Sequence, residues 1–110
     1  MRLLQRDEHG EITLTEQFHP NKIPPYAILS HTWGSPRDEV TFKDLCNNTG
    51  RDKKGYDKIR FCVERAEHDG LKFSWVDTCC IDKTDSVELQ TAINSMFGWY
   101  RGSKRCYVYL

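Results

Sequence analysis

Three short apolar runs, held apart by two helix-length segments, constrain this chain more than any other feature. They are residues 26–30 (Tyr-Ala-Ile-Leu-Ser), 73–77 (Phe-Ser-Trp-Val-Asp) and 106–110 (Cys-Tyr-Val-Tyr-Leu). Continuous apolar runs of this length read as strands buried on both faces. Between the first two, Tyr56, Ile59, Cys62, Val63 and Ala66 recur at spacings of three and four, which lines them along one helical face. Lys58, Glu64, Arg65 and Glu67 fall mostly elsewhere, and Gly70 is a natural stop. Between the second and third runs, Leu89, Ala92, Ile93, Met96, Phe97 and Tyr100 form a second stripe, which Gly102 closes. Asp85 with Glu88 three residues on reads as a variant capping box at its start. Strand, helix, strand, helix, strand, with crossovers this long, predicts an α/β fold with a parallel sheet and right-handed connections.

The segment before residue 26 reads differently. Residues 2–4 and 11–15 flank the turn-prone Asp7-Glu8-His9-Gly10, so residues 1–17 are expected to form a β-hairpin. Three prolines, Pro20, Pro24 and Pro25, make the connector. Residues 40–42 are either a brief strand or the start of a short helical turn reaching Cys46. Residues 47–55 and 78–84 read as loops. At 110 residues the chain is expected to be one domain, the hairpin followed by a βαβαβ unit over residues 26–110.

Composition excludes several classes. Sixteen basic and sixteen acidic side chains cancel, without the basic excess typical of a nucleic-acid module. No apolar run approaches the ~18 residues that cross a bilayer, and the charged first seven residues lack the core of a secretion signal. A soluble, cytoplasmic protein is expected. The five cysteines, an odd count, are then reduced thiols that act as buried packing residues. Asn47-Asn48-Thr49 is a chance glycosylation match in that compartment. No C-x-x-C pair, two-histidine metal pattern, glycine-rich phosphate loop or nucleophile elbow occurs.

Four blocks of the chain carry a family resemblance. They are residues 26–34 (Tyr-Ala-Ile-Leu-Ser-His-Thr-Trp-Gly), 75–83 (Trp-Val-Asp-Thr-Cys-Cys-Ile-Asp-Lys), 88–100 and 106–110. In order and content they resemble the fungal heterokaryon-incompatibility (HET) domain, as does the opening Met1-Arg2-Leu3-Leu4. The resemblance implies a role in nonself recognition and in the programmed cell death that follows fusion of unlike fungal cells. The HET domain is distantly similar to the Toll/interleukin-1 receptor (TIR) domain, a flavodoxin-like sheet. Some TIR members cleave the bond between nicotinamide and ribose in NAD with a glutamate. In the HET pattern a Trp-Thr-Leu-Gln-Glu stretch, the natural counterpart of that glutamate, follows the strand matching residues 106–110. A buried strand at the last residue suggests a domain truncated at its C-terminus, or one completed by a partner. No catalytic residue is therefore assigned within residues 1–110.

Ligands of open α/β sheets bind beyond the carboxyl ends of the strands. That rule selects Ser30, His31, Trp33, Asp77, Asp82 and Lys83 as ligand-binding candidates. Ser30 and His31 would contact a ribose or phosphate, or else serve the local turn. Trp33 would stack on a nicotinamide or adenine ring, or pack over the sheet edge. Asp77 would accept ribose hydroxyls or orient Lys83, or else bond to loop amides in an Asx-type turn. Asp82 and Lys83 form either a charge pair at the ligand mouth or an ordinary solvated loop. Glu88 is more economically a helix cap than a catalytic carboxylate, and Trp99 and Tyr100 are core or interface aromatics. Two functions from different classes remain: a death effector whose complete domain cleaves NAD, and a signalling module that self-associates or binds other death-signalling proteins without catalysis. An inactive fragment is the third reading. Nucleic acid, membrane and metal are not expected as partners.

Overall fold

The computed structural model describes residues 1–110. Five strands form one mixed sheet: β1 (Leu4–Arg6), β2 (Ile12–Leu14), β3 (Tyr26–His31), β4 (Phe73–Trp75) and β5 (Arg105–Tyr109), in the order β2-β1-β4-β3-β5. β3 is the centre. It pairs in parallel with β4 on one side, with Ile28 opposite Trp75, and with β5 on the other, over Ala27 to His31. The parallel βαβαβ core expected from the three apolar runs is present. The hairpin of β1 and β2 is also present, and it extends the same sheet by pairing β1 antiparallel to β4. Its turn follows from Asp7, whose carboxylate accepts the backbone N–H groups of His9 and Glu11, both at 2.9 Å, while Gly10 takes a positive φ of 79°.

Helices cover both faces. α2 (Tyr56–His68) lies on one, burying the stripe Tyr56, Ile59, Cys62, Val63 and Ala66. Phe61 of the same helix meets Tyr107 and Tyr109 of β5 at ring separations of 6.4 and 5.2 Å. α4 (Ser86–Gly102) lies on the other. There Trp99 and Tyr100 pack edge-on against Trp75, at 5.4 and 6.2 Å, and the Tyr100 hydroxyl donates to the Leu29 carbonyl. Trp75, Ile28, Leu29, Leu3, Leu4 and Ile59 are almost fully enclosed and form the centre of the core. No helix is long and apolar enough to cross a membrane.

Three sequence expectations change, and one open alternative is resolved. Residues 40–42 resolve to the helical alternative: α1 spans Phe42–Cys46 behind a full capping box, in which the Thr41 hydroxyl accepts the Asp44 N–H and the Asp44 carboxylate accepts the Thr41 N–H. The second strand ends at Trp75, and Asp77 opens a one-turn helix, α3 (Asp77–Cys80), inside a segment read as strand and loop. Four residues are too few for periodicity to reveal. β5 is an edge strand whose α4-side face is open, with Cys106 and Val108 exposed, so the run is apolar without being buried. Finally, the thiols divide: Cys62, Cys79 and Cys80 are buried, whereas Cys46 and Cys106 are exposed.

Thiol reactivity checks that division. Burial pushes the Cys62 thiol up to about 12 and the Cys79 thiol well above its ordinary value, and only the thiolate reacts. Ellman's reagent is expected to titrate Cys46 and Cys106 rapidly in the folded protein and the other three only after denaturation. Rapid reaction of all five without denaturant would contradict the packing.

Candidate ligand-binding site

His31 ends β3 on the face that α2 covers, and its side chain is only 1% exposed. Ser30, one residue earlier, points to the opposite face, because side chains alternate along a strand. The two neighbours expected to act together are therefore divided by the sheet.

α2 brings Lys58 against His31. The Lys58 ammonium lies 3.0 Å from His31 Nδ1, 3.0 Å from the Thr32 carbonyl oxygen and 2.8 Å from Glu39 Oε2. An ammonium has three protons and no lone pair, so it donates to all three. His31 Nδ1 is then an acceptor, its contact with the Thr32 carbonyl at 3.2 Å is not a hydrogen bond, and the ring proton sits on Nε2. That N–H donates to Asp77 Oδ1 at 2.7 Å. The other oxygen, Oδ2, accepts the indole N–H of Trp33 at 3.2 Å. Glu39, Lys58, His31, Asp77 and Trp33 thus form one chain of hydrogen bonds across the carboxyl ends of β3 and β4. Its charged members are largely shielded, with side-chain exposures of 10–14% for Glu39, Lys58 and Asp77. Glu39 closes the chain on itself by accepting the N–H of Gly34, next to Trp33, at 2.7 Å. Burial alone would raise the Glu39 carboxyl. The Lys58 hydrogen bond, the Gly34 amide and the Lys58 charge outweigh it and hold it below its ordinary range.

Trp33 projects from this framework and is 61% exposed. It walls a cavity of about 470 Å³ together with Phe42 and Lys43 of α1 and with Ile81, Asp82 and Lys83. Lys83 Nζ lies over the Trp33 ring, 4.1 Å from its centroid, a cation–π contact. Lys83 therefore pairs with the indole and not with Asp82. The Asp82 carboxylate instead accepts the backbone N–H and the hydroxyl of Thr84, the Asx-type turn considered for Asp77. Neither Lys43 nor Lys83 takes part in an ion pair. The cavity thus offers two aromatic surfaces, a mostly apolar lining and two ammonium groups without a carboxylate partner, one of them resting on the indole, which suits a planar ring joined to an anion.

Glu88 is not the capping carboxylate expected. Asp85 caps α4 alone, accepting from Val87 and Glu88 N–H. The Glu88 side chain is bound by Arg2 at 2.7 Å, by Gln17 and by the backbone N–H of Asp82. Arg2 in turn stacks on the Phe42 ring at 4.5 Å. The Arg2–Glu88 pair thereby ties two walls of the cavity, α1 and the 81–84 loop, to the hairpin.

Of the six candidates, Trp33, Asp82 and Lys83 line the cavity, His31 and Asp77 hold Trp33 from behind, and Ser30 belongs to neither group. Lys58, Glu39, Phe42 and Lys43 were not among them. One signal could have found Lys58: four residues before Cys62, it borders the buried stripe of its helix.

Fold and site define an α/β domain with a ligand-sized cavity at the strand ends. The sequence model of the heterokaryon incompatibility (HET) protein family matches residues 26–110, and the chain belongs to that family. It is 62% identical over 110 residues to the vegetative incompatibility protein HET-E-1 of Podospora anserina, covering 100% of this chain and 8% of that protein. No solved structure matches.

Two variants probe the framework. A Cβ at Gly55 would stand 2.5 Å from the Asp38 carbonyl oxygen and 2.9 Å from Glu39 Oε1. Gly55→Ala is expected to cost about 1–3 kcal/mol in urea unfolding, the usual effect of overpacking. The second variant tests the depressed carboxyl of Glu39. A lowered folded pKa stabilises the fold above the ordinary value of 4.5, and that contribution disappears as pH falls through the folded value. The stability difference between wild type and Glu39→Gln should be constant above pH 4.5 and shrink below it. A difference independent of pH down to acid unfolding would contradict the assignment.

Proposed function

We propose that this chain acts in heterokaryon incompatibility, in nonself recognition and the cell-death signal that follows it, through a domain whose cavity binds a nucleotide. The 62% identity across the whole chain supports the first part. The chain spans only 8% of that relative's length, so the reading concerns the domain and not the activity of the whole relative.

The observation that carries the nucleotide reading is the 470 Å³ cavity, with Trp33 and Phe42 as ring surfaces and Lys43 and Lys83 as cations that no carboxylate neutralises. The strand order is a second support. β4-β3-β5 repeats the first three positions of a flavodoxin-like sheet, 2-1-3, and such sheets bind ligands outside the carboxyl ends of their strands. NAD is the candidate substrate through the distant TIR similarity. In this reading residues 1–110 supply binding, and the reacting carboxylate comes from the Trp-Thr-Leu-Gln-Glu block of the family pattern. The carboxylates near the cavity are engaged: Glu39 by Lys58 and Gly34, Asp82 by Thr84, and Glu88 by Arg2. Non-catalytic self-association is the second reading. The open edge of β5 and the exposed Val108 and Phe97, at 61% and 77%, favour it.

Titration of the 110-residue chain with NAD, followed by tryptophan fluorescence and calorimetry, separates the two. Saturable binding is expected. Trp33→Ala should weaken it by about 5- to 150-fold, the equivalent of ~1–3 kcal/mol of ring stacking, and Lys83→Ala should weaken it as well. Nicotinamide release by this chain should not exceed a buffer control. Absence of saturable binding at millimolar NAD, with self-association in the same samples, would favour the second reading. Nicotinamide release from residues 1–110 would move the reacting carboxylate into this chain.

A further inference from the structure

We propose that Lys58 and His31 are positioning residues for the cavity: they fix the Trp33 wall from outside it, through the tautomer of a buried imidazole. The proposal rests on the nucleotide reading only for what the wall receives. The geometry behind it stands independently.

Neither Lys58 nor His31 lines the 470 Å³ cavity, and neither does Asp77. Besides the Lys83 ammonium over its face, the Trp33 side chain is held by one hydrogen bond, its indole N–H on Asp77 Oδ2. For that contact to hold the ring in place, the Asp77 carboxylate must itself be fixed. His31 Nε2–H fixes it, from a side chain that is 1% exposed and cannot exchange this bond for water. A neutral imidazole carries one proton and can place it on either nitrogen. On Nδ1 the proton would meet the Lys58 ammonium at 3.0 Å and leave Nε2 as a lone pair against the Asp77 carboxylate. Both contacts would become repulsive. The Lys58 ammonium therefore selects the Nε2–H tautomer, and that tautomer selects the Asp77 orientation that accepts Trp33. Lys58 is in turn fixed by Glu39 and the Thr32 carbonyl, which are anchored in the loop that carries Trp33. The loop is clasped at both ends by one ammonium group.

A merely structural lysine would contribute stability without setting the state of the histidine or of the indole. Nitrogen-15 spectra of the unaltered protein distinguish the two cases. His31 is expected to carry its ring proton on Nε2, with Nδ1 unprotonated. An Nδ1–H tautomer or an imidazolium there would overturn the proposal, and this measurement needs no variant. The Trp33 indole N–H signal, assigned by its loss in Trp33→Phe, should move in Lys58→Met toward its position in Asp77→Asn. The signal of the enclosed Trp75 should stay in place as a check that the core is intact. An unmoved Trp33 signal in a folded Lys58→Met protein would also overturn it. Where wild type binds NAD, Lys58→Met should weaken binding about tenfold, a coupling of ordinary size for a residue outside the site. Absence of NAD binding by wild type would defeat the nucleotide reading and leave the tautomer and indole results to decide this one.

Discussion

The ammonium of Lys58 is the interaction on which the rest of the site depends. It sits among a histidine ring, a backbone carbonyl and a carboxylate, at 2.8–3.0 Å from each, on a side chain only 12% exposed. A partly buried charge is tolerated where partners satisfy it and is costly where they do not. Here every proton has an acceptor, and no buried polar side-chain atom anywhere in the chain lacks a partner. Removing one member of such a network costs more than the bond itself, because the others lose their partners in turn. The network is thus a specificity device: it holds residues 31–39 in one arrangement, and with them the face of Trp33.

Topology makes that device possible. β3 lies between two parallel neighbours, so its carboxyl end opens where the second crossover passes from β4 to β5. α2 covers one face and delivers Lys58 at its first turn. α3 follows β4 at once and delivers Asp77 at its first residue. Three elements distant in sequence therefore converge on His31 without long loops. The hairpin serves the same site from the other side. Arg2 reaches both Phe42 and Glu88, and Glu88 holds the backbone of Asp82. The cavity has two independently secured walls, one polar chain behind Trp33 and one ion pair behind Phe42 and the 81–84 loop.

Much of the architecture was legible because periodicity reports burial. The stripe from Tyr56 to Ala66 placed α2 and is buried; that from Leu89 to Tyr100 placed α4, although its Ile93 and Phe97 are exposed; and the apolar runs placed β3 and β4 within two residues. The failures share a cause: local pattern says nothing about what lies opposite. Residues 106–109 are as apolar as a central strand yet lie in an edge strand, and Cys106 is exposed with it. α1 and α3, at five and four residues, are shorter than the window in which a helical period can be recognised. In the site, residue type found the aromatic and charged groups at strand ends. It could not pair them, since Asp77 with His31 spans 46 positions and Lys58 with His31 spans 27. Family resemblance named the same blocks without separating the residues that line the cavity from those that brace it.

A double-mutant cycle between Lys58 and Asp77 tests the central claim most directly. The two side chains share no hydrogen bond; His31 bridges them directly, and the longer route runs through Glu39, Gly34 and Trp33. Urea unfolding of Lys58→Met, Asp77→Asn and the double variant gives their interaction energy. If the ammonium acts through the imidazole tautomer, the two losses are non-additive, with a coupling of about 0.5–3 kcal/mol that falls when His31 is replaced by Gln. Additive losses, or a coupling undiminished in His31→Gln, would contradict a chain running from Lys58 through His31 to Trp33.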